Sequence, residues 1–406
     1  MTDPRGFAPL LSVEDALARA TAGLAPTATE HVPLEHAAGR VLAADVAARR
    51  AQPPAAMSAM DGYGVRAEDV GTAPVTLEII GTAPAGHPFA GTVGPGQAVR
   101  LFTGSLIPQG ADAVVMQEDT QSDGTQVTIS IRVAKNRFVR PRGMDFDTGE
   151  VLLKVGQVLG PSQLSLAAAM NHAGLDVYTK PVVGILATGD ELVRPGPMVG
   201  AHDTIVSNNF GLMALVARLG GAPVDLGIAP DNEPGLNDAF DRANNMDLLV
   251  TTGGASVGDH DLVQQVLVQR GLALDFWRIA MRPGKPLIHG SLGDMRFLGL
   301  PGNPVSALVC AQIFLVPMLA ALTGRPLNQA RHFASLGCDM PANNQRQAYL
   351  RASISPGDDD QVATPFEGQD SAMLAGLARA DCLVVRPPNA PAASAGARVE
   401  IIRLDI

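Results

Sequence analysis

Between Pro181 and Gly324 the apolar positions alternate between two patterns. Short unbroken runs (Val182 to Ala187, Pro223 to Ile228, Leu248 to Val250, Phe276 to Met281) have the length and content of strands buried on both faces. Between them, Asn209 to Leu219, Asp238 to Asn244, and Leu262, Val263, Val266 and Leu267 on to about Arg270 place apolar residues at helical spacing. Strand–helix alternation of this kind predicts an open, mostly parallel α/β sheet. Leu287 to His289 and Arg296 to Leu298 read as a hairpin across Gly293-Asp294. Leu300-Pro-Gly-Asn-Pro304 then turns into an apolar run, Val305 to Leu322. That run is apolar enough to raise a transmembrane question, but Gln312 and Pro317 interrupt it, and a buried helix is the better reading.

Outside this region the texture changes. Residues 65 to 135 carry short β-rich runs (Val75 to Ile80, Ala98 to Thr103, Ala113 to Glu118, Gln126 to Val133) punctuated by Gly and Pro, as in an all-β insert. Gln52 to Tyr63 reads as a loop ending in Asp-Gly. Ser12 to Asp15 resembles a capping box, and Val13, Ala16, Leu17, Ala20 and Leu24 share one helical face behind it. Ser162 to His172 is a second helical stretch, expected to share a domain with the first on either side of the insert. From Leu327 onward the pattern is β again. The expected architecture is therefore multidomain α/β plus β, in four regions. These are a discontinuous mixed linker domain (7–48 with 136–180), a β-rich insert (49–135), a central α/β domain (181–326) and a C-terminal β domain (327–406).

Composition narrows the function classes. A chain of 406 residues exceeds one ordinary core. Its formal charge of −10 lacks the basic footprint of nucleic-acid binding, so an anionic ligand needs locally placed cations. Cys310, Cys338 and Cys382 are few, far apart and without a CxxC, which fits a reducing compartment rather than a zinc site or a disulfide frame. The first residues show no apolar signal core, and a soluble, cytoplasmic protein is expected, with neither membrane nor nucleic acid as a partner.

The candidate chemistry lies at the strand ends. Leu248 to Val250 stops at Thr251-Thr252-Gly253-Gly254, and Asp259 and Asp261 precede the next helix. A strand, a glycine turn and a helix start can hold a phosphate on backbone N–H groups. Two carboxylates at that mouth repel a bare phosphate, which points to a phosphate accompanied by Mg²⁺; the plainer alternative is a tight turn capped by Asp259. In an open α/β sheet the ligand crevice lies beyond the carboxyl ends of the strands. Those ends collect Asp190, Glu191, Asp231, Gly253, Gly254, Ser256, Asp259 and Asp261, then Arg282 and Lys285, then Gly302, Asn303 and Ser306. Each alone has a bland reading: a solvated loop charge, a surface lysine, a plain Pro-Gly-Asn-Pro turn. Their convergence on one edge favours a site for a metal, a phosphate and an oxyanion.

The stretches SAMDGYGV (58–65), TGDEL (188–192), TTGGASVGDHD (251–261), RPGKP (282–286) and LPGNPVSAL (300–308) resemble the molybdopterin molybdenumtransferase family, the bacterial relatives of the gephyrin E domain. The resemblance spans nearly the whole chain. It implies a Mg²⁺-dependent, cytoplasmic homodimer that inserts molybdate into adenylylated molybdopterin and releases AMP. It implies contact with other enzymes of molybdenum cofactor biosynthesis. It further implies Mg²⁺ on Glu191, Asp231 and Asp261, and substrate on Gly253, Gly254, Ser256, Pro301, Gly302, Asn303 and Pro304. Arg282, Lys285, Ser306 and Arg351 are then expected at the molybdate. Asp61 and Thr103 match motifs of the family's β insert, which reaches the neighbouring subunit's site, and Asp145 matches its interdomain loop.

Two departures stand out. Arg282 replaces the family's usual lysine, and Gln369-Asp370-Ser371-Ala372 replaces a serine- and glycine-rich run. The competing readings are a molybdopterin adenylyltransferase, which lacks the insert and the SAMDGY loop, and a non-catalytic gephyrin-like scaffold. Retention of every motif acid and of Lys285 favours catalysis.

Overall fold

The computed structural model describes residues 10–197, 199–253, 262–326, 331–357 and 360–404. The chain forms two compact units: His31–Ala38 with Ala44–Asp176, and Met1–Glu30 with Gly39–Ala43 and Val177–Ile406.

The second of these contains the α/β layer expected from the alternating pattern. Its elements are α1 (Val13–Thr21), β1 (Val182–Thr188), α2 (Asn208–Arg218), β2 (Ala222–Ala229), α3 (Glu233–Arg242), β3 (Leu248–Thr252), α4 (Leu262–Gln269), β4 (Ala273–Arg278), β5 (Pro286–Leu292), β6 (Met295–Leu300) and the long helix α5 (Pro304–Thr323). The sheet order is β2-β1-β3-β6-β5-β4. The first four strands are mutually parallel, and β5 and β4 extend the edge antiparallel. Successive strand side chains point to opposite faces. Val183, Ile185, Leu248 and Val250 accordingly enter one core with α1, α2 and α5, while Leu186 and Leu249 enter the other with α3 and α4. Residues covered on both faces need no polar alternation, which is why these strands read as continuous apolar runs.

Several boundaries differ from the sequence reading. Helix α3 starts at Glu233, not Asp238, because the Asn232 side chain accepts the Gly235 N–H at 2.9 Å and Pro234 suits a first turn. The run Phe276 to Met281 is not one strand: β4 ends at Arg278, and Met281–Arg282 pairs instead with Gln347 and Ala348. Helix α5 continues through Gln312 and Pro317. Proline lacks an N–H and crowds the carbonyl four residues back, and the helix widens to a π-turn over Ala311–Leu315 just ahead of it. It stops at Gly324, in left-handed backbone at φ +67°. Helix α1 packs in the α/β core through Val13, Ala16 and Ala20, whereas Pro161–Ala169 lies in the other unit. The two helices therefore do not share one domain core.

The C-terminal β region closes on itself. Strands Gln347–Pro356, Gln361–Pro365, His332–Leu336, Arg398–Arg403 and Cys382–Arg386 pair in that order, and the last pairs back to the first, making a barrel without a free edge.

In the other unit the main sheet runs Ala113–Met116, Gly62–Val65, Gln97–Leu101, Val75–Ala83, Gln126–Ile129, Thr120–Ser122. The loop read over Gln52 to Tyr63 gives way at Gly62, where a buried strand, Gly62–Val65, begins. A Cβ on Gly62 would strike the Val115 carbonyl, and one on Gly64 would press on Leu101. Glycine here permits close strand approach rather than a turn.

Candidate active site

The carboxyl ends of β1, β3 and β6 open into a cleft of about 830 Å³. Thr188 ends β1 and Gly189 and Glu191 follow it, Asp231 follows β2, Thr252 ends β3 with Gly253 behind it, and Pro301 to Pro304 follow β6. Thr204 to Ser207 and Asn208, at the start of α2, also line it, and Leu192, Lys285, Pro286 and Ala372 complete the lining. Gly253 has φ +88°, and a Cβ there would run into the Thr188 carbonyl. A Cβ on Gly302 would lie 3.5 Å from the Gly253 Cα. The two glycines thus let adjacent strand ends meet with bare backbone facing the cleft.

Negative charge gathers on one side. Asp190 Oδ1 accepts the Asp231 N–H at 2.9 Å. The Asp231 carboxyl is raised above the ordinary aspartate range, first because it is partly withdrawn from water, then because Asp190 and Glu191 lie near it. Among the described residues no group of three or more His, Cys, Asp or Glu side chains is gathered closely enough to enclose a metal alone. Asp261, expected as the third ligand, lies outside the described residues, as do Gly254 and Ser256.

The cationic turn is divided. Lys285 is half-buried on the cleft wall, and its carbonyl accepts the Ile279 N–H at 3.1 Å. Gly284, at φ +103°, leaves room for the Cys310 Sγ beneath it. Arg282 is exposed on its two-residue strand and is not on the wall. Ser306 is buried in the first turn of α5, also off the wall.

Arg351 is 1% exposed, and its guanidinium donates to the carbonyls of Met373 (2.7 Å), Gly368 (3.0 Å) and Asp370 (2.9 Å). The Gln369 side chain closes the ring, accepting the Arg351 N–H at 3.0 Å and donating to the Arg351 carbonyl at 2.9 Å. This shapes the segment that meets the Pro301–Pro304 turn. Asn303 Nδ2 donates to Ser371 Oγ at 3.1 Å, and the Val305 N–H donates to the Ser371 carbonyl at 3.1 Å. The departure at 369–372 therefore supplies both the arginine's partner and part of the cleft wall.

Asp61, Thr103 and Asp145 belong to the other unit. Asp61 Oδ1 accepts the Thr103 N–H at 2.6 Å and its hydroxyl at 2.8 Å, and these bonds hold the partly exposed Asp61 carboxyl below the usual range. Asp145 is exposed on a loop tied by its N–H to the Gln52 carbonyl at 2.9 Å. Sequence reasoning did not single out Asn208, Thr188 or the Thr204–Ser207 wall. The available signal was Asn208-Asn209, two amides opening an otherwise apolar helix.

Three family models match in chain order. They are the MoeA N-terminal region (domain I and II) over residues 11–171, a probable molybdopterin binding domain over 184–321, and the MoeA C-terminal region (domain IV) over 334–404. A molybdopterin molybdenumtransferase of Haemophilus influenzae is 36% identical over 386 residues, 93% of this chain and 94% of its own. One from a Nostoc species is 34% identical over 93% and 89%. The chain belongs to the molybdopterin molybdenumtransferase family. The crystal structure of a molybdopterin biosynthesis MoeA protein from Pyrococcus horikoshii superimposes with a TM-score of 0.84 at 30% identity, covering 97% of this chain and 99% of that one. The protein is a transferase of molybdenum cofactor biosynthesis with this family's multidomain architecture. In that light the cleft combines an ammonium and bare backbone at strand ends, which suit an anionic group, with crowded carboxylates, which repel one unless a cation accompanies it.

Proposed function

We propose that this transferase inserts molybdate into adenylylated molybdopterin with release of AMP, assisted by Mg²⁺. The observation that carries the reading is one cleft lined by Glu191, by Asp231 with Asp190 and Glu191 crowding its carboxyl, by Lys285 and by the Gly253–Gly302 backbone. In chemical balance, water cleaves the phosphoanhydride to free AMP. The two dithiolene thiols replace one molybdate oxygen, which leaves with their protons as water. The donor set fits Mg²⁺, which usually takes one or two carboxylates and completes its shell with water and substrate phosphate oxygens. Glu191 and Asp231, joined by Asp261, would hold the ion, which neutralises charge on the phosphoanhydride.

The chain's own groups do the rest. The Lys285 ammonium attracts the molybdate dianion. The glycine pair admits the phosphate close to backbone. Arg351 serves the site by holding the 368–373 segment against Asn303, with Arg282 and Ser306 adding charge and packing beside the turn. In this reading the enzyme is a cytoplasmic homodimer in contact with other enzymes of the pathway, and Asp61, Thr103 and Asp145 serve the site of the neighbouring subunit.

The test is incubation of the purified chain with adenylylated molybdopterin, Mg²⁺ and molybdate, following AMP. Molybdate-dependent AMP release supports the reading. Release that ignores Mg²⁺, or formation of adenylylated product from ATP instead, defeats it.

A further inference from the structure

Two polar atoms in the cleft lining have no partner among the described residues: Asn208 Oδ1 and Thr188 Oγ1. Both side chains are more than nine-tenths buried, at 7% and 3% exposure. A buried polar group without a partner is a standing loss of stability, and such groups are rare in folded proteins.

The Asn208 amide is oriented by the protein itself. Its Nδ2 donates to the Gly302 carbonyl at 2.9 Å, and a flipped amide would set oxygen against oxygen there. Oδ1 is therefore a fixed, open acceptor. Thr188 Oγ1 lies on the far side of the glycine pair, 3.1 Å from where a Cβ on Gly253 would be. Asn208, Gly302, Gly253 and Thr188 thus follow one another across the three adjacent strand ends.

We infer that Asn208 and Thr188 form a specificity subsite that receives the N–H edge of a nitrogen heterocycle, Asn208 Oδ1 taking the N–H and the Thr188 hydroxyl taking the neighbouring polar atom. The inference rests on the cleft being the substrate site. A phosphate or molybdate oxygen cannot satisfy Asn208 Oδ1, because both are acceptors. The proposed substrate carries two suitable edges, the aminopyrimidinone of the pterin and the amino face of adenine.

The experiment is calorimetric titration of the full chain with AMP against IMP, and with 6-hydroxymethylpterin against its 2-oxo lumazine counterpart. IMP and the lumazine keep ring N–H groups, but in the same register each sets a carbonyl oxygen against Asn208 Oδ1 where the amino form offers an N–H, so the parent should prefer the amino form of one pair by about tenfold or more. The pair that shows the preference identifies the edge. Asn208→Ala should reduce that preference to near unity. Thr188→Val keeps the volume and removes an unpaired hydroxyl, so it should melt no lower than the parent yet bind the preferred ligand about tenfold more weakly. Thr251 Oγ1 is likewise buried and without a partner among the described residues, but lies outside the cleft lining. Thr251→Val should therefore share the thermal effect and leave binding unchanged. No preference in either pair, or a preference that survives both cleft substitutions, overturns the subsite. A parent that releases AMP but discriminates nothing refutes the subsite alone; one that discriminates but never releases AMP refutes the proposed function alone.

Discussion

Lys285 and Asp231 share a cleft but face opposite electrostatic tasks, and their substitutions should separate cleanly. Removing the Lys285 ammonium deletes a charge-assisted contact worth about 1.5–3 kcal/mol, so Lys285→Ala should raise the molybdate concentration for half-maximal insertion roughly tenfold to hundredfold. Its Mg²⁺ dependence should change much less. Arg282→Lys should cost little, because Arg282 is exposed and off the cleft wall. If Lys285→Ala instead weakens the adenylylated pterin alone, the turn serves the phosphate. Asp231 works the other way. A carboxyl raised above its unfolded value favours the protonated form in the fold, so its charge is a burden at neutral pH that vanishes as pH falls below the ordinary aspartate range. Asp231→Asn should therefore raise the metal-free melting temperature slightly and cut the rise that Mg²⁺ gives the parent. An unchanged Mg²⁺ shift in this variant would remove Asp231 from the ion's ligands.

Among the elements, the β4–β5 edge carries a pH dependence of its own. His289 stacks on Phe276 with ring centroids 5.3 Å apart, and its Nδ1 lies 3.2 Å from Asp275, which Arg19 of α1 also contacts at 3.4 Å. Its Nε2 is buried without a partner among the described residues. Burial pushes the imidazole below its ordinary 6.5, with Arg296 adding to the shift and Asp275 opposing it. The unfolded chain then binds a proton at a pH where the fold does not. Stability from this group is complete above the ordinary histidine range and is lost as pH falls through that range toward the folded value. The urea midpoint should drop between pH 8 and pH 5.5, and His289→Phe should flatten the drop; equal slopes in the two proteins would exonerate this histidine. Sequence pattern identified the buried parallel strands because two covered faces demand continuous apolar residues. It missed Gly62–Val65, whose glycines answer to Val115 and Leu101 across the sheet, contacts that no local window contains. The cleft acids and Lys285 were legible because strand ends are legible. The inward turn of Arg351 was not, since its partners lie 17 to 22 residues further along the chain.

For the whole molecule, the open matter is whose Asp61 serves which cleft. Asp61 and Thr103 form a hydrogen-bonded pair in one compact unit, and the cleft belongs wholly to the other. The proposed homodimer, with the insert of one subunit serving its neighbour's site, makes a quantitative prediction. Asp61→Ala and Asp231→Ala should each be inactive alone, the first lacking what it lends and the second what its own cleft needs. In a mixed dimer, the cleft of the Asp61→Ala chain keeps its own Asp231 and receives an intact Asp61 from its neighbour. The other cleft lacks both. Random exchange of equal amounts makes half the dimers mixed, each with one complete site, so activity should recover to about a quarter of the parent's in a symmetric two-fold assembly. Recovery should require exchange, which a tag on one chain and co-purification can verify. If mixed dimers form and no AMP is released, Asp61 serves its own chain's cleft, and the sharing of the site between subunits is refuted while the chemistry of the cleft stands.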